Sequence, residues 1–196
     1  MRFDQVYLSL DLELDKGDVI EVGVVIGSPS AEPSAWHRQS WLLKPRHGRP
    51  LDERIVQLTG ITDEEIALRA VSHDTVKDEL TRLVDTFKPF VNPVQWGLGD
   101  AQELLDELDY VTGSRPPIFG RRVIDVKHHY LYIEAANGRA MSGGLRRAMA
   151  AHGLEFQGRP HRAENDAFNT LKFYFHLLNR QHVIEDFLKW KNCLAR

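Results

Sequence analysis

A chain of 196 residues that is 42% hydrophobic can bury one sizeable core but hardly two, so one domain over residues 1–196 is expected, with a core of about 5–180 and a helical extension over 181–196. The single cysteine, Cys193, excludes a disulfide framework and a cysteine-built zinc cage and fits a reducing compartment. A formal charge of −3, from 25 basic and 28 acidic residues, excludes a protein that holds nucleic acid by bulk electrostatics alone, but not an enzyme that gathers carboxylates around cations, because bound ions invert the local sign. The opening MRFDQVYLSL has neither the apolar run nor the small-residue cleavage site of a signal peptide, and acidic residues interrupt every later apolar stretch. A soluble, cytoplasmic protein without a membrane partner is therefore expected.

Residues 6–14 alternate, with Leu8, Leu10, Leu12 and Leu14 on one face and Ser9, Asp11 and Glu13 on the other, as a strand requires. After a turn over Asp15-Lys16-Gly17-Asp18, residues 19–26 (VIEVGVVI) form a β-branched apolar run, read as a buried strand antiparallel to the first because the connection is so short. A third strand over residues 35–43 completes a meander. Thr62 and Glu65 make a capping box that starts a short helix. Val76, Leu80, Leu83, Val84 and Phe87 recur at helical spacing and mark a longer helix ending before Pro89. Residues 90–96 read as a strand despite Pro93, and Gly97-Leu98-Gly99 leads into a helix from about Asp100 to Tyr110. A strand or a helix start is expected near residues 122–131. Leu145, Ala148, Met149 and His152 share one face of a helix that stops at Gly153, and a last core helix runs from about Arg162 to Asn179. A meander followed by strands alternating with helices indicates a mixed α/β sheet covered by helices.

Asp11 and Glu13 stand two apart on one strand, so their side chains point the same way and can grip one cation; the alternative is an exposed polar strand face. Their setting in an otherwise apolar strand favours the cation, because two unpaired carboxylates there are costly. Asp100 follows WGLG where a strand hands over to a helix, and it can cap that helix or join a metal site. GLGDAQ half resembles a dinucleotide-binding turn, but Gln102 stands where the third glycine belongs. His161 precedes the last core helix, and Asp166 falls on its core-facing side with Ala163 and Thr170, where a carboxylate needs a partner. Together, four carboxylates can hold two hard divalent ions that activate a water and clamp a phosphate, and a histidine suits the base near neutral pH. Oxygen donors without cysteine favour Mg2+ or Mn2+ over zinc.

In order and spacing these five residues resemble the DEDDh branch of the DnaQ-like exonucleases. SLDLELDKGDVIEVGVVI is similar to the family's D-x-E strand followed by an I-E-x-G strand; LTGIT, Leu58 to Thr62, is similar to a recurring element; WGLGD supplies the second aspartate, and GRPHRAENDAFNT the H-x4-D motif. The likeness covers about residues 5–180, and the GRPHRA and WG-x-x-D wording is most similar to the exoribonucleases that trim histone mRNA and small RNAs. The resemblance implies a ribonuclease H-like fold, a mixed five-stranded sheet of order 3-2-1-4-5 with strand 2 antiparallel, flanked by helices. It further implies a 3′-to-5′ exonuclease that releases nucleoside 5′-monophosphates from the 3′ end of single-stranded nucleic acid, RNA rather than DNA. Asp11, Glu13 and Asp166 would hold one metal, Asp11 and a water-bridged Asp100 the second, and His161 would be the general base. Leu14 and Asp15 depart from the small residues usual after the motif's glutamate, and the loop to the second strand is short; both departures bear on the 3′-terminal nucleotide pocket rather than on catalysis.

Leu12, Leu14, Trp96 and Arg162 are the candidate substrate contacts. Trp96 or Phe168 can stack on a base or serve as core packing. Arg121, Arg122, Arg146, Arg147, Arg159 and Arg162 can reach backbone phosphates or cover solvated faces. The alternatives are a single-stranded DNA exonuclease of the proofreading or repair type, a catalytically silent nucleic-acid-binding domain of the same fold, and, more weakly, a zinc hydrolase built on His128, His129 and His152. The oligomeric state stays open, a homodimer included.

Overall fold

The computed structural model describes residues 4–139 and 143–194. Strands β1 (Tyr7–Asp15), β2 (Asp18–Gly27) and β3 (His37–Leu42) form the expected meander; helices α1 (Glu53–Thr59), α2 (Asp63–Arg69) and α3 (His73–Phe87) lead to β4 (Val94–Gln95) and α4 (Asp100–Thr112). The chain continues through β5 (Ile124–Asp125), α5 (Val126–Ala136), α6 (Leu145–Ala151) and α7 (Ala163–Leu194). The sheet order is β3-β2-β1-β4-β5. β2 is antiparallel to both β1 and β3, while β4 runs parallel to β1 and β5. No helix among the described residues is long and apolar enough to cross a membrane.

The alternation of β1 divides two cores. Leu8, Leu10 and Leu12 meet Val76, Leu80 and Leu83 of α3 and Leu104, Leu105 and Leu108 of α4. On the opposite face, Val25 and Val94 pack with Tyr130, Ala148, Met149, Ala167 and Leu171 from α5, α6 and α7. Asp11 and Glu13, out of phase with the leucines, thus belong to the face that α7 covers. A smaller cluster of Ile20, Leu42, Leu51, Ile61 and Ile66 seats α1 and α2.

Several expected elements change. Leu14 leaves the buried face: Glu13 lies opposite Glu21 but Leu14 opposite Val19, and this bulge turns Leu14 outward to 37% exposure. The strand expected over 90–96 shrinks to two residues, because Pro93 has no N–H for the ladder; Phe90 N–H bonds instead to Val6 O, and Gly120 N–H to Val91 O. A 3-10 turn over Pro33–Ala35 delays β3 to His37. Helix α1 is an addition, capped by the Asp52 side chain on Arg54 N–H and ended by left-handed Gly60. Half of the capping box forms: Thr62 Oγ1 accepts from Glu65 N–H at 3.1 Å, while the Glu65 carboxylate takes Arg69 rather than turning back. Residues 122–131 hold both a strand end and a helix start. Helix α7 continues past Asn179 without a break to Leu194, no glycine or proline interrupting it.

One joint sets the height of α7 on the sheet. Glu21 of β2, 1% exposed, accepts from Arg162 Nε and Nη2 at 2.9–3.2 Å and from Ala163 N–H at 2.9 Å. The carboxylate thereby satisfies one of the open N–H groups of the first turn and meets the positive end of the helix dipole. Two residues along, Gly23 lets the helix backbone touch the strand: a Cβ there would lie 2.1 Å from Ala163 C. Gly23→Ala is therefore expected to cost roughly 1–3 kcal/mol by forcing helix and strand apart. At about 2–4 °C per kcal/mol for a chain of this size, thermal denaturation reads the loss; an unchanged Tm would show that the contact does not constrain the fold.

Candidate active site

Asp11 pairs in register with Gly23, the residue against which α7 rests, so the joint delivers the first turns of α7 to the strand face that carries the motif's acids. Asp166 lies one turn into α7, and its Oδ2 accepts from His161 N–H at 2.8 Å. His161 sits at φ 59°, a left-handed conformation that costs a non-glycine residue of order 1 kcal/mol or more and is held here by that bond. Glu13, His161 and Asp166 each offer a ligand atom within 4.8 Å of the others, the one such group found among the described residues.

A cavity of about 600 Å³ opens over them, lined by Asp11, Leu12, Glu13, Asp166 and His161 together with Leu58, Trp96, Gly144, Leu145, Arg146, Phe156, Arg159 and Pro160. Asp100 lies outside this lining, at the start of α4. Gly97 and Gly99, at φ 103° and 124°, make the sharp turn that carries the chain from Trp96 in the cavity to Asp100 at the first position of α4, a backbone path that disfavours residues with a Cβ. Asp100 still acts on the site: after burial, its charge is the largest influence raising Asp11.

The carboxylates are crowded, and each is pushed above its ordinary range. Burial, then the charges of Asp100, Asp166, Glu13 and Glu21, hold Asp11 well above the ordinary range. Burial, then Asp166 and Glu21, push Glu13 to about 8, with Arg162 opposing. Burial raises Asp100 to about 6, helped by Glu103. Burial also raises Asp166 to about 6 against the pull of the His161 N–H. Hard oxygen donors that repel one another in a partly dry site are the donor set a divalent cation of the Mg2+ or Mn2+ type fits, since its charge turns the repulsion into attraction.

The substrate contacts divide. Trp96 lines the cavity, its ring 6.1 Å from Tyr130 and 6.0 Å from Phe173. Leu12 is 8% exposed and belongs to the core while still reaching the cavity wall. Leu14, turned away by the bulge, is absent from the lining. Asp15 is absent too; buried, it pairs with His47 and accepts from Asp52 N–H, so neither departure from the family pattern touches the pocket. Arg162 is not free for a phosphate because Glu21 holds it in a bidentate pair. Phe168 is core, 2% exposed between Trp36 and Arg38. The histidines of the zinc reading do not assemble: His152 lies against Glu134 and His176, while His129 Nε2 is buried with no partner.

Sequence reasoning missed Leu58, Phe156 and the loop that holds His161. Leu58, 44% exposed at the end of α1, lines the cavity, and, two residues on, Gly60 lets the Arg159 guanidinium, another lining group, pack on its backbone. Asn169, fully buried on α7, accepts from Gln157 N–H and donates to Gln157 O, clamping the approach to His161. The recurring LTGIT element, which begins with Leu58, was the available signal for the first; a lone asparagine on a helix carried none for the second.

No family model matches the chain, and no curated protein is similar to it in sequence. Solved structures share its fold. The nuclease domain of 3′hExo, a DEDDh family member bound to rAMP, aligns at TM-score 0.75 and 18% identity over 91% of this chain and 94% of that one. A 3′-exonuclease described in 3′-end specific recognition of the histone mRNA stem-loop gives 0.72 and 16% over 92% and 84%. E. coli exonuclease I with a dT13 oligonucleotide gives 0.68 and 15%, with 94% of this chain covering 43% of that one. The five-stranded order and the flanking helices are those of the ribonuclease H-like DEDDh 3′-exonucleases.

The raised carboxylates set the sign of a pH effect. A folded site that keeps protons the unfolded chain releases is most stable below the unfolded pKa values, near 4, and loses stability as the pH climbs toward the value of about 8 reached by Glu13. The metal-free protein is expected to have a higher Tm at pH 5 than at pH 8, and Mn2+ to raise Tm more at pH 8 than at pH 5. Differential scanning fluorimetry with EDTA or Mn2+ checks both; a Tm indifferent to Mn2+ at pH 8 would mean that the carboxylates do not share a cation.

Proposed function

We propose that the protein is a metal-dependent 3′-to-5′ exonuclease that releases nucleoside 5′-monophosphates from single-stranded nucleic acid, RNA in preference to DNA. The observation that carries this reading is the convergence of Asp11, Glu13, Asp166 and His161, from two distant chain segments, on one cavity, with the charge of Asp100 acting on Asp11. Two cations, Mg2+ or Mn2+, held by Asp11, Glu13 and Asp166 and by Asp11 and Asp100, would supply the charge that activates a water and stabilises the leaving oxygen.

The chain's own groups do the rest. Asp166 divides its work between the His161 N–H and the shared site, so it fixes the histidine's backbone as well as contributing a ligand oxygen. The imidazole of His161 takes the proton of the attacking water, a task suited to a group type that titrates near neutrality. Leu12, Leu58, Trp96 and Phe156 provide apolar surface for the terminal base, while Arg146 and Arg159 bring positive charge to the same cavity. The preference for RNA rests on the GRPHRA and WG-x-x-D wording and on the likeness to an exonuclease of histone mRNA.

Purified protein with Mg2+ or Mn2+ is expected to shorten 5′-labelled RNA one nucleotide at a time, faster than DNA of matched sequence. Faster degradation of the DNA would reverse the assigned preference, and two intact strands would overturn the enzymatic reading. Asp166→Asn, which keeps an acceptor for the His161 N–H but removes the charge, is expected to abolish turnover. His161→Ala should lower kcat by about 100-fold or more; full activity in Asp166→Asn would mean that the metal site lies elsewhere.

A further inference from the structure

Beside the carboxylate cavity lies a second groove of about 650 Å³, lined among others by Leu98, Gln102, Arg115, Phe119, Arg121 and Arg122. The two are divided by a single loop: Trp96 faces the first, Leu98 and Gly99 the second, and Asp100 follows directly. The groove's charge is opposite to its neighbour's. Three arginines line it and no carboxylate does, in a chain whose formal charge is −3.

The arginines differ in what they do. Arg115 pairs with Asp106, which also accepts from Gln102, and so braces the wall formed by α4. Arg121 and Arg122 are exposed and make no ion pair among the described residues. Their backbone is nonetheless pinned on both sides, by Gly120 N–H on Val91 O at 2.7 Å and by Ile124 N–H on Pro93 O at 2.8 Å. Gly120 also packs closely on Asn92, where a Cβ would lie 2.4 Å from Oδ1. Two adjacent cations are therefore presented by a segment tied to β4, the strand that also leads into the loop carrying Asp100. Across the groove, Leu98 is 75% exposed between two glycines, an apolar surface that a ribose or base can cover.

We infer that this groove carries the sugar-phosphate backbone of the nucleotides upstream of the scissile bond, with Arg121 and Arg122 as phosphate contacts and Leu98 as the apolar ridge over which the strand leaves the carboxylate cavity. The inference rests on the exonuclease reading. With the 3′-terminal nucleotide in the first cavity, the rest of the strand must leave over some part of its rim, and along the loop from Trp96 to Leu98 the carboxylate-lined cavity gives way to a carboxylate-free, basic groove. Charge complementarity selects a polyanion as occupant, and the contacts are to backbone, so sequence preference is not expected from them.

The test is the Arg121→Glu/Arg122→Glu double variant, with Arg121→Gln/Arg122→Gln as a milder pair should reversal disturb folding. On the Asp166→Asn background, where the strand is not consumed, fluorescence anisotropy with a long labelled single-stranded RNA is expected to show at least tenfold weaker binding. The slope of log affinity against log salt should become shallower by about 1.4, the value for two lost single-strand phosphate contacts. On the active background, the loss in kcat/KM for the long strand is expected to exceed that for a dinucleotide, too short to reach the groove, by about tenfold. Unaltered binding and salt slope, or equal losses on both substrates, would overturn the groove. A wild type that binds the long strand through these arginines yet cuts nothing would instead sink the exonuclease reading and leave the groove standing.

Discussion

A buried carboxylate on a central strand holds the end of a long helix, and the rest of the site follows from that contact. Glu21 engages Arg162 and the Ala163 N–H together, and Gly23 removes the Cβ that would keep the helix from reaching the strand. Breaking such a pair would leave a charge uncompensated in a dry interior, which is why the contact has little freedom to slide. Because Asp11 is the register partner of Gly23, fixing α7 at this height also fixes Asp166 against Asp11 and Glu13. Arg162 illustrates how position within a motif misleads: adjacent to the histidine and positively charged, it invites a phosphate, yet its fork geometry is spent on Glu21.

The carboxylates gathered by this joint oppose folding. Each is raised chiefly by burial, and Asp11 and Glu13 also by the other carboxylates of the site, so the folded chain keeps a repulsive cluster that a hydrophobic core of the same volume would not have. The compensating order lies around it. Asn169 clamps the loop before His161, Arg159 packs on Gly60, and left-handed His161 is secured by Asp166 itself. Strain and charge concentrate where the chemistry is proposed, while the leucine face of β1 rests on an ordinary apolar core.

Positive charge is distributed with the same economy. Arg38, Arg46, Arg139 and Arg162 are committed to internal carboxylates. Arg146 and Arg159 reach the acidic cavity, and Arg121 and Arg122 the groove beyond Asp100. A formal charge count averages over these populations, so a chain that is acidic overall can still present a basic track beside an acidic pocket.

Much was legible in the residues themselves. The period-two leucines of β1 dictate that Asp11 and Glu13 share the other face; the apolar β-branched run of β2 dictates a central strand; and the glycines around Leu98 dictate a turn that leaves Asp100 at a helix start. These are local consequences of backbone geometry, and the order of the motifs carried the family likeness. Other features depend on partners distant in the chain. The bulge that turns Leu14 outward arises from the pairing of β1 with β2, the cut in β4 from how Pro93 meets its neighbours, and the fate of Arg162 from Glu21, 141 residues away. Periodicity records which face a side chain takes, but not which groups from remote segments will meet it there. The sequence by itself therefore determined the opening meander, the faces of its strands and the five candidate site residues, whereas only the tertiary structure decided the short strands β4 and β5, which cations were left unpaired and where they lie.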